Sequence, residues 1–98
     1  EAEPYLRETL ESYEGELGPD HNWAFNARSL FGACLAQQGR YRESEPLLVS
    51  SFEGLLTGAG AQNSFTVSAR QRLVDLYELW GNPEKAAQYS DSGKGEGN

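Results

Sequence analysis

Glu43-Ser44-Glu45-Pro46-Leu47-Leu48 repeats, 42 residues later, the opening Glu1-Ala2-Glu3-Pro4-Tyr5-Leu6. The same offset holds without a gap over the residues that follow. It pairs Leu10 with Phe52, Glu11 with Glu53, Trp23 with Phe65 and Ala27-Arg28 with Ala69-Arg70. It also pairs Phe31 with Leu73, Leu35 with Tyr77 and Gly39 with Gly81, and a third copy opens at Lys85-Ala86-Ala87 and runs out near Ser90. Matches that fall on the same points of the hydrophobic pattern mark an internal repeat, and a repeat decides the architecture before any other feature does.

Inside each copy the spacing is helical. Ala2, Leu6, Thr9, Leu10, Tyr13 and Leu17 recur every three or four residues, as do Ser44, Leu48, Ser51, Phe52 and Leu55. The alternate segments carry Ala27, Leu30, Phe31, Cys34 and Leu35, then Ala69, Leu73, Leu76, Tyr77 and Trp80. Each set is one apolar face of an amphipathic helix, and no segment alternates as a strand does. Turn residues fall between the sets. Leu17-Gly18-Pro19-Asp20 reads as a stop and turn with Asp20 or Asn22 as the next cap, and Asn63 or Ser64 caps the helix after the Thr57–Ala61 loop. Gly39 and Gly81 suit the position just past a helix end, Pro83 enforces the second break, and Pro4 and Pro46 suit first turns. The spacing predicts five helices at about 2–17, 22–38, 41–57, 64–80 and 83–90. These divide into a half repeat (1–20), a repeat (21–57) and a repeat (58–90), followed by a flexible tail over 91–98.

Composition narrows the function. At 98 residues the chain holds one domain at most. It has no apolar run of about 18 residues, so it is expected not to span or bind a membrane, and its acidic first residues are unlike a signal peptide. The net charge of −7 concentrates in residues 1–20, where seven acids face Arg7 alone. Nucleic acid is therefore not an expected partner, because phosphates require Lys and Arg. One cysteine, Cys34, forms no internal disulfide, lies on an apolar stripe as an inert thiol, and fits a reducing, cytoplasmic setting. One His and one Cys make no metal site of the usual kind. His21 reads as a helix-start residue, and Gly58-Ala59-Gly60 lacks the strand and lysine of a phosphate loop. No catalytic constellation, metal or cofactor is expected.

The pattern resembles tetratricopeptide repeats, in particular the 42-residue kind of kinesin light chains. Leu17-Gly18-Pro19-Asp20-His21, Leu30-Phe31-Gly32-Ala33 and Gln38-Gly39-Arg40-Tyr41-Arg42-Glu43-Ser44-Glu45-Pro46-Leu47-Leu48 carry the resemblance. The helix asparagine common in kinesin light chains is Ser29 and Gln71 here. The chain is also similar to arrays at the C-terminal end of bacterial serine/threonine kinases, through Glu11-Ser12-Tyr13-Glu14-Gly15, Phe52-Glu53-Gly54-Leu55 and Asn26-Ala27-Arg28-Ser29-Leu30. The stretch from Leu73 to Ala87 resembles the last repeat of such an array. The resemblance implies an all-α fold, an α-α superhelix of antiparallel helices in stacked hairpins. It implies a non-catalytic module that binds a protein or peptide on its concave face. The alternative is a regulatory or spacer segment of such a kinase.

Stacked hairpins curve, and the first helix of each pair lines the concave side. The polar positions off the apolar stripe there are Asn26, Ser29 and Gln37, with Ser68, Gln71, Asp75 and Glu78 one repeat later. Ala33 lies among them, and Arg28 and Arg70 flank them. A peptide backbone would be held by the amides and hydroxyls and its charges by the Arg, Asp and Glu side chains. The first helix lacks a pairing partner, so its stripe (Leu6, Leu10, Tyr13, Leu17) is expected to be partly uncovered and to support self-association.

Overall fold

The computed structural model describes residues 2–18 and 20–95, with side chains from Glu3 to Gly18 and from Asp20 to Ser90. Five helices follow one another: α1 (Ala2–Leu17), α2 (Asn22–Gln37), α3 (Tyr41–Ala59), α4 (Ser64–Leu79) and α5 (Pro83–Gly95). No strand occurs among the described residues. The start and end of α4 each lie 42 residues after those of α2, and α5 begins 42 after α3. The repeat read from the sequence is thus a repeat of backbone geometry.

The corners show why. Gly18, Gly39, Gly60 and Gly81 all take positive φ, at 96°, 80°, 95° and 80°, and they too fall in pairs 42 residues apart. Left-handed backbone is cheap only for glycine, so each helix can end there without a side-chain penalty. At Gly39 the following Arg40 N–H donates to the Leu35 carbonyl at 3.0 Å; at Gly81 the following Asn82 N–H donates to the Tyr77 carbonyl at 2.8 Å. Helix starts repeat as well. His21 Nδ1 accepts from Trp23 N–H at 3.1 Å, and Asn63 Oδ1 accepts from Phe65 N–H at 2.9 Å. The caps of α2 and α4 are therefore His21 and Asn63, not Asp20 or Asn22 at the first site.

Two helix ends and one proline differ from expectation. α3 continues through Ala59, because the first left-handed residue is Gly60 and nothing in Thr57-Gly58-Ala59 stops it sooner. α5 runs to Gly95, so the backbone of 91–95 is helical where a tail was expected; 96–98 lie outside the described residues. Pro46 sits inside α3, in the second turn rather than the first, since the Gly39 corner lets the helix begin at Tyr41.

Neighbours in sequence pack as antiparallel pairs: α1 on α2, α2 on α3, α3 on α4 and α4 on α5. α2 and α4 also touch directly, whereas among the described residues α1, α3 and α5 have no backbone approach to one another. α2 and α4 thus form an inner layer and the other three an outer one. The result is a flat stack with principal extents of 39 × 29 × 16 Å. Its core is Phe25, Ala36, Leu48, Phe52, Leu55, Ala69, Leu73, Val74, Leu76, Tyr77 and Ala86. Gly54 lies directly under the Phe25 ring, where a Cβ would overlap it, and a Cβ on Gly32 would press on Leu48 at 3.0 Å. Those two glycines let α2 and α3 approach closely.

The apolar stripe of α2 is placed differently from the sequence reading. Ala24, Phe25, Ala27, Ser29, Gly32, Leu35 and Ala36 are buried, while Phe31 and Cys34 are half-buried and Leu30 is exposed. Cys34 accepts from Gln38 Nε2 at 3.4 Å. Trp23 is 53 % exposed. α2 is covered on three sides, by α1, α3 and α4, so its buried arc is wider than a single stripe and turns Leu30 and Trp23 outward.

Candidate functional site

α2 and α4 run side by side in the same direction. Their first residues meet at one end, Trp23 and Asn26 beside Phe65, and their last residues at the other, Gln37 beside Asp75, Glu78 and Leu79. The second of these groups lines a shallow depression of about 280 Å³ built from α2 and α4 alone. Gln71 Nε2 donates to Asp75 Oδ1 at 3.0 Å, which orients the carboxylate on that rim. Gln37, Asp75 and Glu78, named from the sequence, are thus brought together, with Gln71 supporting them one turn away.

The other named residues are placed elsewhere. Asn26 is half-buried in a separate cleft of about 180 Å³ with Tyr13, Trp23 and Phe65. Ser68 is half-buried and lines neither depression. Ser29 is fully buried, so no partner reaches it. Arg28, expected beside this surface, points to the outer layer: it pairs with Glu14 on α1 at 3.1 Å, donates to Ser50 on α3 at 3.3 Å and stacks on Phe25.

Arg72 went unnamed in the sequence reading and holds the middle of this face. Its Nη1 donates to Ser29 Oγ at 2.9 Å and reaches Asn26 Oδ1 at 3.5 Å. Burial pushes its pKa down from the ordinary guanidinium value, and among the described residues no carboxylate pairs with it. The only sequence signal was its register: it stands 42 residues after Leu30, an apolar position.

Two further clusters tie the layers together. Arg40 pairs with Glu3 at 2.9 Å and Glu43 at 2.6 Å, and Glu3 also pairs with Arg7 at 2.8 Å. Partial loss of solvent pushes the Glu3 carboxyl up, but hydrogen bonds from Gln38 and Arg40 and the charges of Arg40 and Arg7 hold it below its ordinary value. Tyr77 Oη donates to Glu45 at 2.7 Å, and Lys85 lies 3.5 Å from the same carboxylate, over the Tyr77 ring. Tyr77 in turn stacks with Trp80 and Tyr89, and Trp80 stacks with Tyr41. These contacts have a structural role, pinning α3, α4 and α5.

The first helix is partly covered, as its stripe was expected to be. Leu10 is buried and Leu6 and Tyr13 are half-buried, while Leu17 at one end of the helix and Tyr5 near the other are exposed. Among the described residues no group of three or more His, Cys, Asp or Glu side chains could hold a metal ion. No described helix is long and apolar enough to cross a membrane.

No curated protein and no solved structure matches the chain. The family model of the tetratricopeptide repeat matches residues 1–57, spanning the offset, the glycine corner at Gly39 and the α2–α3 hairpin. With that match over more than half its length and with stacked α-hairpins of constant period, the chain belongs to the tetratricopeptide repeat family.

Proposed function

We propose that the chain binds an extended peptide or a partner loop on the joint face of α2 and α4. Tetratricopeptide repeats are non-catalytic protein-interaction scaffolds. The observation that carries it is the convergence of Gln37, Asp75 and Glu78, from two helices, on one open depression. Amide groups of Gln37 and Gln71 match peptide N–H and C=O groups, and the Asp75 and Glu78 carboxylates match a basic side chain. Arg72, held by neutral Asn26 and Ser29 oxygens, keeps the two helices in register beneath the ligand. In this reading the chain acts in the cytoplasm, as part of a larger signalling protein of the kind suggested by its kinesin-light-chain-like and kinase-associated resemblances.

The test is selection of binders from a random peptide library on the whole chain, followed by fluorescence anisotropy. Gln37→Ala, Asp75→Ala and Glu78→Ala should each weaken the selected peptides by about tenfold. All three side chains are exposed, so far-UV circular dichroism should stay unchanged. Retention of full affinity in all three variants would remove the α2–α4 face as the site.

A further inference from the structure

Arg7, Arg28, Arg40 and Lys85 each lie within 3.5 Å of a carboxylate. Arg72 is half-buried where α2 meets α4, and among the described residues no carboxylate pairs with it. Burial lowers its pKa, and no neighbouring anion offsets the loss of water. A charge drawn into a fold is costly unless it is paired, so this guanidinium is a group in want of an anion.

The side chain is already oriented. Nη1 is engaged by α2, with Ser29 Oγ at 2.9 Å and Asn26 Oδ1 at 3.5 Å. Nε and Nη2 have no hydrogen-bond partner among the described residues. Neither is sealed from solvent, since Thr66 Oγ1 is the one enclosed side-chain polar atom left unbonded among the described residues. Nε and Nη2 share one edge of the guanidinium plane, the edge that grips a carboxylate through two parallel bonds. Fixing Nη1 on the neutral Ser29 and Asn26 oxygens leaves that edge open and rigid.

The spacing to the neighbouring acids adds a second constraint. Asp75 stands one turn beyond Arg72 on α4, but its carboxylate accepts from Gln71, and Glu78 is exposed one turn further. Along the helix axis these two lie about 4.5 Å and about 9 Å beyond Arg72. Side chains two positions apart on an extended peptide share a side and are separated by about 6.8 Å, between those two distances. An acid at Arg72 therefore places the residue two positions away over the Asp75 and Glu78 carboxylates, where a base is favoured and a second acid repelled.

We propose that the α2–α4 face takes an acidic side chain of its ligand on Nε and Nη2 of Arg72, two residues from the basic side chain that meets Asp75 and Glu78. This rests on the peptide-binding reading of the same face. The probe is a labelled library of acetylated, amidated peptides with aspartate and lysine fixed two positions apart, in both orders, and uncharged residues elsewhere. Affinity selection on the whole chain is followed by fluorescence anisotropy of the peptides recovered.

One order should yield saturable binders. Exchanging their aspartate for asparagine should weaken binding about tenfold, as should exchanging lysine for glutamine. In Arg72→Gln the aspartate and asparagine forms should bind alike while the preference for lysine persists. The double variant Asp75→Asn, Glu78→Gln should lose the preference for lysine and keep that for aspartate. If Arg72→Gln loosens the fold, the two peptide forms compared on the unaltered chain still decide the matter.

Binding to the unaltered chain that ignores the aspartate would overturn the proposal, as would an aspartate preference that survives in a folded Arg72→Gln variant. Binders from a random library but none from either fixed library would overturn it and leave the peptide-binding reading standing. An aspartate preference that requires Arg72, with Gln37, Asp75 and Glu78 dispensable, would uphold the anion site and remove the depression from that reading.

Discussion

Arg72 on α4 donates to Ser29 Oγ on α2 at 2.9 Å, a half-buried cation held by a fully buried, neutral hydroxyl. Hydrogen bonds to charged groups contribute more than neutral ones, and a desolvated guanidinium left without an acceptor is costly. Ser29→Ala should therefore destabilise the fold by about 1.5–3 kcal/mol in urea unfolding. Adding Arg72→Leu, the residue type found 42 positions earlier, should recover at least about 1 kcal/mol of that loss. Simple additivity of the two substitutions would show that the contact does not couple the helices.

Gly54 meets the Phe25 ring with no space between. Gly54→Ala forces α2 and α3 apart or drives the ring from its place, and should cost about 1–3 kcal/mol, despite the better helix propensity of alanine. Phe25→Leu in the same chain should relieve most of the strain, so the double variant should be less destabilised than the sum of the singles. A thermal melt series on the four proteins measures this; a Gly54→Ala variant as stable as the parent would contradict the close approach.

Thr66 Oγ1 is buried without a hydrogen-bond partner. Replacing the hydroxyl by a methyl of the same shape removes a desolvation cost and no contact. Thr66→Val should raise stability by about 1 kcal/mol, seen as a higher urea midpoint at unchanged slope. A lower midpoint would mean that the hydroxyl is satisfied in solution.

Tyr77 carries a pH dependence of defined sign. Burial raises its pKa well above the ordinary 10.0, and the hydrogen bond to Glu45 with the Glu45 charge raises it further. The folded chain thus keeps this proton at pH values where the unfolded chain releases it. The associated stability is complete below pH 10 and declines above it, by up to about 1.4 kcal/mol per pH unit for one proton. Tyr77→Phe should flatten the decline of the urea midpoint between pH 10 and 11. Tyr89, raised by burial and by the Glu53 and Glu45 charges, should account for a remaining slope; an unchanged profile in the Tyr77→Phe variant would exclude Tyr77 as its source.

The helices and their period were legible because glycine corners and apolar spacing are local signals, written twice at one offset. Which side of α2 is buried was not. Counting apolar residues selected Leu30, whereas three packed helices cover an arc that includes Ser29 and Gly32, small residues whose value lies in close approach. Arg72 escaped notice for the complementary reason: an arginine reads as solvated, and only the buried Ser29 hydroxyl across the interface explains its place. Of the surface residues, Gln37, Asp75 and Glu78 line one depression. Asn26 does not join them, since Trp23 and Phe65 enclose it at the far end of the helices.

Gly18 and Gly60 take nearly the same positive φ, 96° and 95°, at either end of one hairpin. The segment 19–60 is in consequence a cassette: spliced in a second time after Gly60, it follows and precedes a glycine of the same positive φ whose carbonyl accepts from the residue three positions on. The lengthened rod would gain one more nearest-neighbour junction and melt higher, with Leu30 replacing Arg72 at the new joint and its polar tie to Ser29 lost.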